Sequence, residues 1–411
     1  MPHQQAGGLR RFNALLPSAV LWLGLLAGCS GGGDTALSAE TTPISNSAAG
    51  GAFPQANDSV FALAADGSGG VYVGGQFTQV GGVPRQMLAH ILADGTVDPP
   101  WDPTADGPVT ALAVENQTLF IGGSFFSLDG IERWRLAAVD RNTGDLTPWN
   151  PKLGTANLVN ALVSSSAVVY VGGVFDLVNA VIVPGTGLRG EARQNLAAID
   201  ALTGLATSWN PNIFQGEVKA LAISGSVAYV GGSFDQVGLL GNEAVRLNLA
   251  AFDLASGLLT PWNPSVRGVA GDVVFALQVS DGVIYVGGRF DEVGGQARGN
   301  LAAVDRAGGA ATSWNLPAND TVMTFFDDGR RLYLGGLFTA IGGQVRERLA
   351  SIDKATGLLT SWTPEANGAV RSIVVSQGRV FVGGEFTTIN GRPRNRLAVL
   401  DAETGRIVGE E

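Results

Sequence analysis

The tetrapeptide Gly-Gly-x-Phe returns seven times along the chain, beginning at Gly74, Gly122, Gly172, Gly231, Gly287, Gly335 and Gly383. Successive starts lie 48, 50, 59, 56, 48 and 48 residues apart, so one unit repeats from Phe53 onward with insertions in the third and fourth copies. A fixed period of this length marks an architecture in which one supersecondary unit stacks on copies of itself. In the second copy, β-forming segments run from Val109 to Val114, Leu119 to Gly123, Arg135 to Asp140 and Leu146 to Trp149. Asn142-Thr143-Gly144 turns the chain between the last two, and the glycine pair with Leu128-Asp129-Gly130 breaks it between the middle two. Four antiparallel strands per unit follow. Such a sheet is apolar on both faces, and radial stacking covers both while leaving only short edges. The expectation is an all-β chain with a seven-bladed β-propeller of four-stranded blades over residues 52–411.

Three further features recur with the glycine pair. An arginine precedes a Leu-Ala pair by three residues, at Arg85, Arg133, Arg193, Arg246, Arg298, Arg346 and Arg394, and Trp-Asn-Pro or a close variant follows. On these motifs residues 53–411 resemble the delta-60 repeat propellers, and the strand ending in Gly-Gly is similar to that of kelch repeats. Asp140, Thr143, Gly144 and Trp149 are also similar to the tryptophan-docking motif of quinoprotein-like propellers. The resemblance implies architecture and brings no common catalytic activity. The tryptophan stands at Trp101, Trp149, Trp209, Trp262, Trp314 and Trp362, but the seventh unit places Glu410 there. Phe53-Pro54, just ahead of the first unit, supplies the missing aromatic and proline, so Phe53 is expected to dock beside the segment around Arg406 to Val408 and close the ring.

Residues 1–28 read as a lipoprotein signal peptide, with Arg10 and Arg11 ahead of an apolar stretch from Ala19 to Leu26. That stretch is too short for a permanent span. Leu26-Ala27-Gly28-Cys29 resembles a bacterial lipobox. The resemblance implies acylation of the Cys29 thiol, cleavage before it, and a membrane partner held through lipid. Ser30 in place of Asp implies, by the same likeness, the outer membrane, on its periplasmic or its outer side. Cys29 is the sole cysteine, which excludes an intramolecular disulfide. Residues 29–51, rich in Gly, Ser and Thr, form a flexible tether.

Chemistry is narrowly bounded. A net charge of −10 argues against a general nucleic-acid binder. Only His3 and His90 are present, so no histidine cluster can form, and His90 stands where other copies carry Ala, as at Ala138, facing a blade interface or solvent. No nucleophile elbow, zinc motif or phosphate loop occurs, and no cofactor is implied. The ligand set of copper oxidases built on kelch propellers is missing. Residues present in every copy are assigned to the fold, the Trp series to packing rather than to sugar stacking. After Gly-Gly-x-Phe, Asp176, Asp235 and Asp291 fall in three consecutive copies while other copies carry Thr or Phe. They are the candidate metal ligands, weighed against turn-forming side chains that Thr replaces freely.

The remaining asymmetry points to a binding face. The insertions fall between the second and third strands, at about Ala180 to Ala192 and Leu239 to Ala244, and carry Val181, Ile182, Val183 and Leu188 beside Leu239 and Leu240. The start of the first strand lies at the same end of the sheet, and it is the least uniform position of that strand: Phe61, Thr110, Asn160, Lys219, Phe275, Met323 and Arg371. A non-catalytic, lipid-anchored envelope propeller that presents this face to a protein or glycan ligand is the leading expectation. The alternatives are an envelope enzyme acting on glycans through paired carboxylates and an outer-membrane assembly scaffold.

Overall fold

The computed structural model describes residues 53–154, 158–185, 187–239, 242–268 and 271–409. By internal contacts the chain divides into Met1–Ser45 and Asn46–Glu411, and all described residues belong to the second unit. The leader, Cys29, the whole of the 29–51 tether, Leu240 and Glu410 lie outside them. Among the described residues every regular element is a β-strand, and no helix is long and apolar enough to cross a membrane.

One sheet serves as the pattern. Val109–Glu115 pairs antiparallel with Thr118–Gly123, which pairs on its other edge with Leu136–Asp140. Leu119, Phe120 and Ile121 are all buried, because neighbouring sheets cover both faces of the middle strand. The Asp140 carboxylate accepts the amides of Asn142 and Thr143 at 2.8 and 3.0 Å, and Gly144 takes a φ of 80° that closes the turn. The fourth segment is shorter than its sequence suggests. It forms a single bridge, Leu146 to Val139, backed by the Thr147 amide on the Ala138 carbonyl. Trp149 then turns toward the next sheet, and Pro151 has no N–H to extend a ladder. In the sixth repeat the segment reaches two residues, Leu358–Leu359. The connection between second and third strands, expected as loop, is itself a short hairpin, as in Ser127–Leu128 with Ile131–Glu132.

The first strands form a closed ring: each touches the next, and Val370–Ser376 touches Val60–Ala65. Close approach explains the glycine pair. A Cβ on Gly122 would run into the Val159 side chain of the next first strand, and one on Gly123 into the Pro108 carbonyl of its own. Gly383 meets Val60 as Gly122 meets Val159, so the seam between last and first repeats is built like the others. Phe53 is buried there, 5.7 Å from the Phe381 ring, with Val408 packed on the same cluster. The Ala56 amide reaches the Asn395 carbonyl at 3.2 Å. Elsewhere the tryptophan bridges repeats: Trp149, Trp209, Trp262 and Trp362 donate through Nε1 to the carbonyls of Asp200, Asp253, Asp305 and Asp401, each at 3.0 Å. The recurrent arginine ties backbone, as when Arg133 reaches the Glu132 and Thr147 carbonyls at 2.9 and 3.0 Å.

A cavity ringed by bulged side chains

Each first strand breaks register once, near its start in six repeats and midway along the longer Ile213–Ser224 of the fourth, and the break always releases one residue from the ladder. The irregularities fall between Val60 and Ala62, Val109 and Ala111, Val159 and Ala161, and Val218 and Ala220. The other three fall between Val274 and Ala276, Val322 and Thr324, and Val370 and Ser372. The released residues are therefore Phe61, Thr110, Asn160, Lys219, Phe275, Met323 and Arg371, the seven positions at which the first strand is least uniform. A bulge re-aims a side chain, and here all seven line one cavity of about 370 Å³, with Glu385 at its wall.

The ring has two chemical arcs. Phe275 and Met323, on neighbouring repeats, are apolar and half-buried. Arg371 continues from them, its guanidinium 5.7 Å from the Phe61 ring and bound to the Glu385 carboxylate at 2.7 Å through Nε. Thr110 and Asn160 reach forward to the next bulge, the Thr110 hydroxyl to the Val159 carbonyl and Asn160 Nδ2 to the Val218 carbonyl at 2.9 Å. Lys219 pairs with Glu217 at 2.8 Å. The two cations are thus each matched by a carboxylate on their own repeat. Glu217 and Glu385 sit in the fourth and seventh repeats, so they do not form a neighbouring acid pair.

The insertions stand at the same end of the sheets. In the third repeat Leu177–Val183 and Gly187–Ala192 form a hairpin with Val181 and Ile182 exposed at 52% and 69% of their surface, and Leu188 half-buried opposite Ile182. Val183 is also exposed. In the fourth, Val227–Leu239 continues its own strand outward, with Ile213–Ser224 on one side and Asn242–Val245 on the other. The opposite end of the sheets carries the turns that expose Leu202 and Leu358.

The other candidates stay apart from the cavity. Asp176, Asp235 and Asp291 are exposed, and among the described residues no group of three or more His, Cys, Asp or Glu could hold a metal. His90 is buried between the first and second repeats. Its Nδ1 faces Asp98 Oδ2 at 2.8 Å, its Nε2 faces Asp66 Oδ2 at 3.3 Å, and its ring stacks on Tyr72 at 4.4 Å. Burial pushes the Tyr72 hydroxyl up to about 12. Burial alone would raise the Asp66 carboxyl as well, but hydrogen bonds from Ser68, Gly70 and His90 outweigh it and hold that carboxyl below the usual carboxylate range. The sequence reading missed Asp66 and Asp98. The available signal was paired change: His90 replaces the repeat's Ala just where Asp98 replaces its Thr. Trp101 stands three residues after Asp98, where Trp149 stands two after Thr147, and its buried Nε1 lacks the hydrogen bond that the other Trp copies make.

Comparison with known proteins agrees with this geometry at the level of fold. A family model described as a domain of unknown function (DUF5122) beta-propeller matches residues 66–99 and 376–402, within the first and last repeats. The WD40 β-propeller domain of Doa1 is similar with a TM-score of 0.53 and 13% identity, over 80% of this chain and 90% of that one. The computationally designed Ika8 protein is similar with a TM-score of 0.51 and 16% identity, over 86% and 87%. No curated protein matches the chain. The fold is a β-propeller.

Proposed function

We propose that the chain is a seven-bladed propeller with four-stranded blades that acts as a non-catalytic binding module. In this reading it is related to the delta-60 and kelch-like repeats, is held on the bacterial outer membrane by acyl groups on Cys29, and faces the periplasm or the outside. The observation that carries it is the coincidence of seven bulges, one cavity and two insertions at one end of the sheets. The residues on either side of the bulge, a valine before it and a small residue after it, keep their character in every copy, whereas the bulged residue is released from the ladder and its chemistry changes from copy to copy. A surface built by varying one position per repeat is how a repeat fold acquires a recognition site without disturbing its core. The exposed Val181 and Ile182 extend the same end with apolar surface of the kind that marks contact sites.

The test compares the two ends. A photo-reactive amino acid replaces Ile182 on the hairpin, or Leu202 on the opposite turns, and intact cells are irradiated. The reading predicts a discrete cross-linked species from position 182 and none from 202. Adducts from 202 alone reject it.

A further inference from the structure

We propose that the cavity accepts a neutral sugar, the terminal pyranose of a glycan. This deepens the binding-module reading and rests on it. Lys219 Nζ is already held by Glu217 at 2.8 Å, and Arg371 Nε and Nη2 both face Glu385 Oε1 at 2.7 Å. Each cation is thus already neutralised by a carboxylate beside it, so the wall offers an ionic ligand of either sign no uncompensated charge to pair with. A hydroxyl group needs none, because it donates and accepts at once. Two vicinal hydroxyls set against an Arg–Glu pair give one proton to the carboxylate and take one hydrogen bond from the guanidinium, leaving the ion pair in place.

The rest of the wall suits the same class. Asn160 uses Nδ2 on the Val218 carbonyl, and its Oδ1 has no protein partner among the described residues, which leaves an acceptor for a further hydroxyl. The Thr110 hydroxyl gives its proton to the Val159 carbonyl and so offers a ligand only its acceptor oxygen. Phe275 and Met323 provide adjacent apolar surface, and Phe61 closes the circle beside Arg371. A pyranose has this same division, a rim of hydroxyls around a face of C–H bonds that packs on aromatic and thioether surface. The volume of about 370 Å³ lies at the small end of ligand sites. It suits a short saccharide end and excludes a folded domain.

The experiment uses the purified full-length protein in detergent. Maltotriose, cellotriose, mannotriose and chitotriose are the neutral probes, trigalacturonate is the charged probe, and an acidic peptide represents the other ligand class. Saturation-transfer NMR detects binding and calorimetry measures it. The inference predicts that at least one neutral trisaccharide binds, that Phe275→Ala and Asn160→Leu each weaken it by about tenfold or more, and that Leu358→Ala at the far end changes nothing. Either variant serves if the other melts early. Failure of all four neutral sugars, binding of trigalacturonate or the peptide alone, or affinity untouched by both cavity variants overturns it. The binding-module reading fails separately, through cross-linking at the wrong end of the sheets.

Discussion

The tryptophan bridges give a differential prediction that a general loss of packing would not. Trp209 is buried, meets the Tyr170 and Phe252 rings edge-on at 5.3 and 6.3 Å, and donates to the Asp253 carbonyl at 3.0 Å. Trp209→Ala removes the ring and leaves a cavity, at a cost of about 3–5 kcal/mol. Trp209→Phe keeps most of the ring and removes the donor. The Asp253 carbonyl retains the Gly257 amide at 2.9 Å, so no buried acceptor is orphaned and the loss is that of an ordinary hydrogen bond, about 1 kcal/mol, plus a small packing deficit. Trp101 is equally buried but its Nε1 has no acceptor, so Trp101→Phe removes an unsatisfied donor instead of a bond. Urea denaturation followed by circular dichroism should rank the losses Trp209→Ala, then Trp209→Phe, then Trp101→Phe, with the last two about 1 kcal/mol apart. Equal losses for the two Phe variants would refute the claim that the bridge at Trp209 is a hydrogen bond as well as a packed ring.

Three other outcomes are expected, the first from the proposed lipid anchor and the other two from the structure. Cys29→Ser should move the protein from the membrane pellet to the soluble fraction; sedimentation that survives a carbonate wash would mean that acylation is not the anchor. Phe53→Ala should lower the thermal midpoint, because the residue fills the seam between last and first repeats at about 3–5 kcal/mol for a buried Phe; an unchanged midpoint contradicts its role in closure. The Asp66 carboxyl is held below its usual range in the folded state, so its contribution is complete above the unfolded carboxylate value near pH 4 and disappears as pH falls through the folded value. The stability gap between wild type and Asp66→Asn should therefore be widest at neutral pH and shrink below about pH 4, and a gap that widens on acidification would be the wrong sign.

The propeller was legible because its constraint is repeated: Gly122 and Gly123 must admit a neighbouring valine and a carbonyl, and each copy restates that need. Closure was legible for a related reason, since one aromatic was missing at the end and Phe53 stood at the beginning. The seven variable residues were visible as variation, but the bulge that gives them a common target was not. Its signal is a valine before and a small residue after an arbitrary one, as in Val159-Asn160-Ala161 and Val370-Arg371-Ser372, and register is a property of two strands that a single segment does not display. The fourth strand was overestimated because Trp149 looks β-forming while its ring is spent on the next sheet. The His90 pairing was hidden by distance, since Asp66 comes from the turn after a first strand and Asp98 from a fourth segment, and only the sheet brings both to the imidazole.

The central claim is that the bulged ring is occupied where the protein works. Cys29 is the sole cysteine, so when acylated it leaves the chain without a free thiol, and Met323→Cys or Leu358→Cys then introduces the one reactive group. Maleimide labelling rates are compared between native envelope fractions and the detergent-purified protein. The account predicts that the thiol introduced by Met323→Cys, in the cavity, reacts more slowly in the envelope than after purification, while that from Leu358→Cys reacts at one rate in both. Equal rates at both sites, or protection at Leu358→Cys alone, would contradict it.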